Sequence, residues 1–408
     1  MRFEEFDLHD DILEAISYMG FEKASPIQEK AIPLILKNKD LLAFAQTGTG
    51  KTAAFILPIL DKICSTKNEG KINTIVIVPT RELAIQIDQQ IQGFSYFLPV
   101  NSIALYGGGD GNGWVRERSA LEKGTDIIVA TPGKLISHLN SGKLKMDDLQ
   151  HLVLDEADRM LDMGFYEDIQ RIVSYLPKKR QTLLFSATMP PNIKKLSKSI
   201  LDKPEEIAIE LSKPAEGVLQ AVYLVHENQK SPLIKYLIDN NTDYKSILIF
   251  TSTKLKVGQV VRSLKNNNYK VEGISSDLEQ KQREEVLSSF RARNTRVLVA
   301  TDVLSRGIDI KDISLIVNYD VPGDAEDYVH RVGRTARAES EGVALTLVNE
   351  PELYKLKKIE SLIGSEIMRI PLPASVGEQA DFKNQHEQKP RTFRKSKGQS
   401  KNFRKKNK

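Results

Sequence analysis

The chain has 408 residues, 40% of them hydrophobic and 28% charged, with a formal net charge of +5 and one cysteine. That length suits two domains, each able to bury its own core. No apolar run approaches the ~20 residues that cross a bilayer, and the lone Cys64 excludes an internal disulfide framework and a cysteine-based zinc site. The opening MRFEEFDLHD lacks the basic-then-apolar layout of a secretion signal, so the cytoplasm is the expected compartment.

Residues 1–38 read as helices with an aromatic-rich start. Apolar runs then alternate with helical patterns at 41–45, 74–78, 102–106, 127–130, 151–154 and 182–185, and helices are expected between them, among them 81–92 and 166–175. Short Val/Ile/Leu runs between helices signal buried parallel strands, hence an α/β sheet. Around 203–217 two prolines and several charges break the periodicity, as a linker would. A second series follows at 220–225, 246–250, 296–300, 314–318 and 343–348. The expected division is a first domain over 1–204, a linker over 205–217, a second domain over 218–372 and a tail over 373–408. Residues 381–408 hold eleven Lys/Arg against two Asp/Glu, which leaves a net −4 on residues 1–380. Such a tail is expected to be disordered and to favour polyanions, with Phe382, Phe393 and Phe403 spaced to stack on unpaired bases.

The chemistry starts at residues 40–52, DLLAFAQTGTGKT. A strand-like run leads into Gln46, Thr47, Gly48, Thr49 and Gly50, and Lys51-Thr52 open an amphipathic helix. This is the order of a phosphate cradle: loop amides and a helix N-terminus face the anion, Lys51 reaches the outer phosphates and the Thr52 hydroxyl sits on Mg²⁺. Ala45 stands where the usual spelling starts with glycine. Asp155-Glu156-Ala157-Asp158 follows the run 151–154, and carboxylates at a parallel strand's C-terminal end face the ligand crevice. There Asp155 suits Mg²⁺, partly through water, and Glu156 suits activation of a water. Ser186 and Thr188 follow the run 182–185, where their hydroxyls could reach the acidic motif. His330-Arg331-Val332-Gly333-Arg334-Thr335-Ala336-Arg337 spaces three arginines at i, i+3 and i+6 as a basic stripe. The second series has no phosphate loop, so its arginines can complete a site only across a cleft.

Over roughly residues 3–350 these motifs resemble, in order, those of DEAD-box RNA helicases of superfamily 2. The resemblance implies two RecA-like domains with parallel sheets flanked by helices, and an RNA-dependent ATPase that uses ATP and Mg²⁺ to unwind short duplexes or remodel RNA–protein complexes. It makes Phe21, Ser25 and Gln28 the adenine-reading motif, with Phe3 upstream and Ala24 where proline is common; the Gln28 amide offers the donor and acceptor that the adenine edge needs. It assigns RNA contacts to Pro79, Thr80, Arg81, Gly108, Thr131, Pro132 and Gly133, and in the second domain to Thr251, Arg283 and Thr301. Lys134 replaces a common arginine, and Ser275-Ser276-Asp277 a common His-Gly-Asp. Asp309 matches the residue bonded to the ribose. Asp158, Ser186, Thr188 and His330 match coupling positions, and Arg334 and Arg337 match arginine fingers for the γ-phosphate. A bacterial protein of ribosome assembly, RNA turnover or cold adaptation is implied, binding RNA without sequence preference, with the basic tail as an auxiliary contact. Two rivals remain on the residues alone: a DNA translocase of the same superfamily, and a non-catalytic RNA clamp.

Overall fold

The structure, a computed structural model, describes residues 1–45, 49–66, 70–108, 111–142, 144–209, 218–267, 269–275, 277–301, 313–335, 342–378, 380 and 382. Runs rich in Val, Ile and Leu become strands because each residue pair buries both of its faces. The strands are β1 (Leu41–Phe44), β2 (Thr74–Ile77), β3 (Ser102–Leu105), β4 (Ile127–Ala130), β5 (His151–Leu154), β6 (Gln181–Ser186) and β7 (Glu205–Ala208), and along the central ones neighbouring side chains feed opposite cores. Ile127, Val129 and Val153 enter one core, while Ile128, Leu152 and Leu154 enter the other. All pairs are parallel, in the order β3-β4-β2-β5-β6-β1-β7. Helices cover both faces: α1 (Asp10–Tyr18), α2 (Pro26–Leu36), α3 (Lys51–Ser65), α4 (Arg81–Phe94), α5 (Gly111–Lys123), α6 (Pro132–Asn140), α7 (Ala157–Asp162), α8 (Tyr166–Ser174) and α9 (Pro191–Ile200).

The second sheet repeats the pattern as β10-β11-β9-β12-β13-β8-β14, again all parallel. Its strands are β8 (Val218–Leu224), β9 (Ile247–Thr251), β10 (Val271–Ile274), β11 (Val297–Thr301), β12 (Leu315–Asn318), β13 (Gly342–Val348) and β14 (Met368–Arg369). The accompanying helices are α10 (Glu227–Asn240), α11 (Lys254–Lys265), α12 (Gln280–Arg291), α13 (Ala325–Val332) and α14 (Leu353–Ile363). Among the described residues no helix is long and apolar enough to cross a membrane.

Two expectations about boundaries need correction. Residues 205–208, expected in the linker, pair with β1 as the edge strand β7, in the register Leu41↔Glu205. An edge strand needs only one buried side chain here, Ile207, so charge and proline hid it. Residues 210–217 lie outside the described residues. At the other end, Ile370, Leu372 and Val376 pack on the second core and Ala380 is buried, so packing continues past 372. Phe382 meets the His226 ring edge-on at 5.6 Å, and the tail from 383 lies outside the described residues.

Candidate functional site

Parallel strands deliver their C-terminal ends to one rim, and the expected site residues sit there. After β1, Gly50 caps α3 with φ 90°, a left-handed conformation that glycine adopts without strain. A Cβ at Gly50 would stand 2.5 Å from Gln28 Nε2, so a side chain there would displace the Gln28 amide. Gln28 is buried: its Oε1 accepts from the Ser25 amide at 2.7 Å and its Nε2 donates to the Gly50 carbonyl at 3.1 Å. Ser25 Oγ donates to the Thr49 carbonyl at 2.7 Å. The Ser25/Gln28 pair therefore holds the end of the loop that enters α3. Phe21 packs edge-on between Phe3 and Phe94, at 5.9 and 5.6 Å. Gln46, Thr47 and Gly48 lie outside the described residues, and Thr52 is half-buried in the first turn of α3.

Lys51 and Asp155 meet across the rim, Nζ to Oδ1 at 3.5 Å, both almost fully buried. The ammonium has no hydrogen-bond partner among the described residues. Burial opposes its charge, but Asp155, Glu156 and Asp158 together hold it above the usual lysine range. Burial likewise pushes Asp155 up, against the pull of Lys51. For Glu156 burial is outweighed by Arg159, Lys51 and His330, and its carboxyl is held below the usual range. Glu156 sits at φ 49°, ψ 49° as the N-cap of α7, left-handed for a non-glycine residue at a cost of about 1–3 kcal/mol. Arg159, one turn on, donates to its Oε2 at 3.1 Å. Asp158 turns the other way: its Oδ2 accepts from the amides of Ala187 and Thr188 at 3.0 Å and from Thr188 Oγ1 at 3.1 Å. Ser186 Oγ instead donates to the Thr188 carbonyl at 2.7 Å.

A cavity of about 390 Å³ opens over these groups. Lys51, Glu156, Asp158, Arg159 and Thr188 line it from the first domain, and Asp324, Asp327, His330 and Arg334 from the second. The three-arginine stripe is corrected: Arg331 is buried, donates from Nη1 to Asn318 Oδ1 and the Asp320 carbonyl at 2.9 Å, and lies 4.9 Å from the Phe250 ring. It braces α13 on its sheet, while Arg334 just beyond the helix faces the cleft. Arg337 lies outside the described residues. Arg159, Asp324 and Asp327 were not anticipated; the i, i+3 spacing of Glu156 and Arg159 was the available signal for the first. Nothing comparable marks the two aspartates.

The residues expected to meet RNA gather at strand ends. Thr80 caps α4 and accepts from the Leu83 amide, and Thr131-Pro132-Gly133 opens α6. Arg81 lies 4.4 Å from the Tyr106 ring, donates to the Gly108 carbonyl and pairs with Glu284 of the second domain at 2.6 Å. Arg283 stands 3.9 Å from Glu82, the reciprocal pair. Thr251 and Thr301 end β9 and β11 side by side in register. Pro79 is buried just before Thr80. Residues 302–312 with Asp309, and Ser276, lie outside the described residues.

No three His, Cys, Asp or Glu side chains cluster as a metal cage among the described residues. Asp155, a buried carboxylate at the rim, is a donor of the kind Mg²⁺ takes, since that ion keeps several waters and is held by one or two carboxylates plus substrate phosphates. The buried Lys51 ammonium, without a hydrogen bond among the described residues, fits an outer phosphate.

Residues 25–196 match the DEAD/DEAH box helicase family and residues 229–339 the helicase conserved C-terminal domain. The ATP-dependent RNA helicase CshA of Listeria monocytogenes is 43% identical over 373 residues, 91% of this chain and 71% of that one. CshA of Geobacillus kaustophilus is 42% identical over 372 residues, 91% and 78% of the two chains. Among solved structures, Saccharomyces cerevisiae Dbp5 bound to RNA and ADP BeF3 is 31% identical with a TM-score of 0.79, covering 91% of this chain and 95% of that one. A DEAD box protein of Methanococcus jannaschii is 36% identical with a TM-score of 0.54, covering 91% and 99%.

Proposed function

Because the chain belongs to the DEAD-box family of ATP-dependent RNA helicases, we propose that its cleft is a composite ATP site, half of it supplied by each domain. The protein is an RNA-dependent ATPase that unwinds RNA. The observation that carries the residue assignment is the single cavity lined by Lys51 and Glu156 on one side and by His330 and Arg334 on the other.

In this reading the loop Gln46–Gly50 and the α3 amides hold the phosphates, Lys51 takes an outer phosphate, and Phe21, Ser25 and Gln28 lie on the base side, where Gln28, its amide bonded to Ser25 and Gly50, holds the loop end. Thr52 and Asp155 would hold Mg²⁺, partly through water; the ion supplies charge neutralisation on the phosphates when bound. Glu156 orients and deprotonates the attacking water. Its depressed pKa keeps it anionic at neutral pH, as a base requires, and Arg159 fixes its direction. Arg334 and Arg337 neutralise charge developing on the γ-phosphate, while Asp309 meets the ribose. Asp158, bonded to the Ser186–Thr188 turn, links that chemistry to the domain interface, with His330 across it.

RNA runs over Thr80, Arg81, Gly108, Thr131 and Gly133, then Arg283 and Thr301, with the buried Pro79, Pro132 and Thr251 shaping the track from beneath. Contacts of this kind position a sugar–phosphate chain without reading sequence. Closure around both ligands bends one strand, which a short duplex cannot follow, and the strands part locally. The basic tail adds a salt-sensitive RNA contact, and analogy with the family points to ribosomal or RNA-turnover complexes as partners.

The test is Glu156→Gln. It should cut RNA-stimulated phosphate release by about 10²–10⁴ and trap RNA in the presence of ATP. Turnover at the parental rate would remove Glu156 from its role, and phosphate release indifferent to RNA would undo the composite site.

A further inference from the structure

The chain has one tryptophan, Trp114, on α5. Its indole lies flat on the His138 ring, with centroids 4.1 Å apart and planes 14° apart, and Lys134 Nζ stands 5.0 Å from the ring. Glu117, one turn along α5, holds both Lys134 at 2.8 Å and His138 at 2.9 Å. Lys134 and His138 are in turn one helical turn apart on α6, whose N-terminus is Thr131-Pro132-Gly133. Two helices thus fix the ring, yet Trp114 remains 38% exposed and belongs to neither core of its domain. A large aromatic side chain held in one orientation loses little conformational freedom when it binds something. The neighbouring Gly133 has open space where a Cβ would stand, so a chain can pass close to the backbone there.

We propose that Trp114 is a base-stacking subsite beside the RNA track. A strand passing Gly108 and Thr131–Gly133 turns one unpaired base onto the exposed part of the indole, with the Lys134 ammonium beside it for a neighbouring phosphate. This rests on the RNA path proposed above and adds what sugar–phosphate contacts lack, a contact to a base. Aromatic stacking tolerates every base because each has a π-face, and the preference it introduces follows stacking strength. Glu117 keeps Lys134 in place beside the ring and partly neutralises it.

The sole tryptophan reports on its own site. Adding single-stranded RNA with a non-hydrolysable ATP analogue should quench Trp114 emission saturably, at the concentration where a labelled strand binds. Trp114→Ala should weaken binding of that strand by about 10-fold, with Trp114→Phe intermediate. On a ribose–phosphate strand stripped of its bases, parent and Trp114→Ala should bind alike. Tight RNA binding with unchanged emission overturns the subsite and leaves the RNA track standing. An equal loss on the stripped strand also overturns it, since the ring would then only support α6. Failure of the parent to bind any RNA overturns both.

Discussion

The two sheets carry the same strand order, and the likeness extends to a buried ion pair. Lys51, after β1, meets Asp155, after β5, at 3.5 Å; Lys230, after β8, meets Asp320, after β12, at 3.4 Å. Their surroundings differ. Lys230 Nζ also reaches Glu227 and Glu352, each at 3.1 Å, and Asp320 is further bonded by Lys256 and by the Ser252 amide at 2.7 Å. Among the described residues Lys51 has no hydrogen bond, and its cavity opens between the domains. Buried charges are tolerated when every donor and acceptor finds a partner, and an incomplete set is costly. One domain therefore has a saturated pair that braces the fold, and the other an unsaturated pair that a phosphate can complete.

The largest effect should come from the group that joins the halves. Arg334→Ala should lower RNA-stimulated turnover by roughly 10³–10⁵, the scale of an arginine finger, while a fluorescent ATP analogue still binds. Phosphate release within tenfold of the parent would break the composite reading. The saturated pair should fail differently. Lys230→Met removes a fully buried ammonium and leaves Asp320 and Glu352 undercompensated, a loss of about 3–5 kcal/mol. Urea unfolding would report it, and at low temperature the folded fraction should still hydrolyse ATP. Loss of turnover without loss of stability would mean the two pairs are not contrasted as described.

How much of this was legible follows from which signals are local. Central strands such as 127–130 and 151–154 were readable because both faces are buried and the run is continuous. The edge strands β7, β10 and β14 were not, since an edge buries few side chains and tolerates Glu205, Glu206 and Glu272. The phosphate loop and acidic motif stood out by spacing. That Gln28 and Ser25 bond the end of that loop is a contact between distant segments, invisible to periodicity. The arginine stripe misled for a related reason: the i, i+3 rule cannot tell which arginine turns inward. Only the carbonyl of Asp320 and the amide of Asn318 decide that Arg331 does.

A smaller effect separates the domains under acid. β5 begins with His151, and its counterpart β12 begins with Leu315. His151 is 1% exposed, and its Nδ1 lies 3.0 Å from Gln181 Oε1. Gln181 Nε2 donates to the carbonyls of Ile35 and Lys39, so Oε1 accepts and the proton sits on Nδ1. Nε2 is buried without a partner among the described residues, and protonating it would add a buried charge near Lys62. Burial, then Lys62, push the imidazole down from 6.5 to about 3. The unfolded chain accepts a proton near pH 6.5 and the folded chain refuses it until about pH 3, so stability falls as pH drops through that window. Between pH 7 and pH 5 this one group should remove about 2 kcal/mol from the first domain. His151→Leu, matching the residue that the second sheet already carries, should lose that much less over the same interval in urea titrations. A variant that weakened with acid as steeply as its parent would clear His151 of the effect and pass the sensitivity to the buried carboxylates.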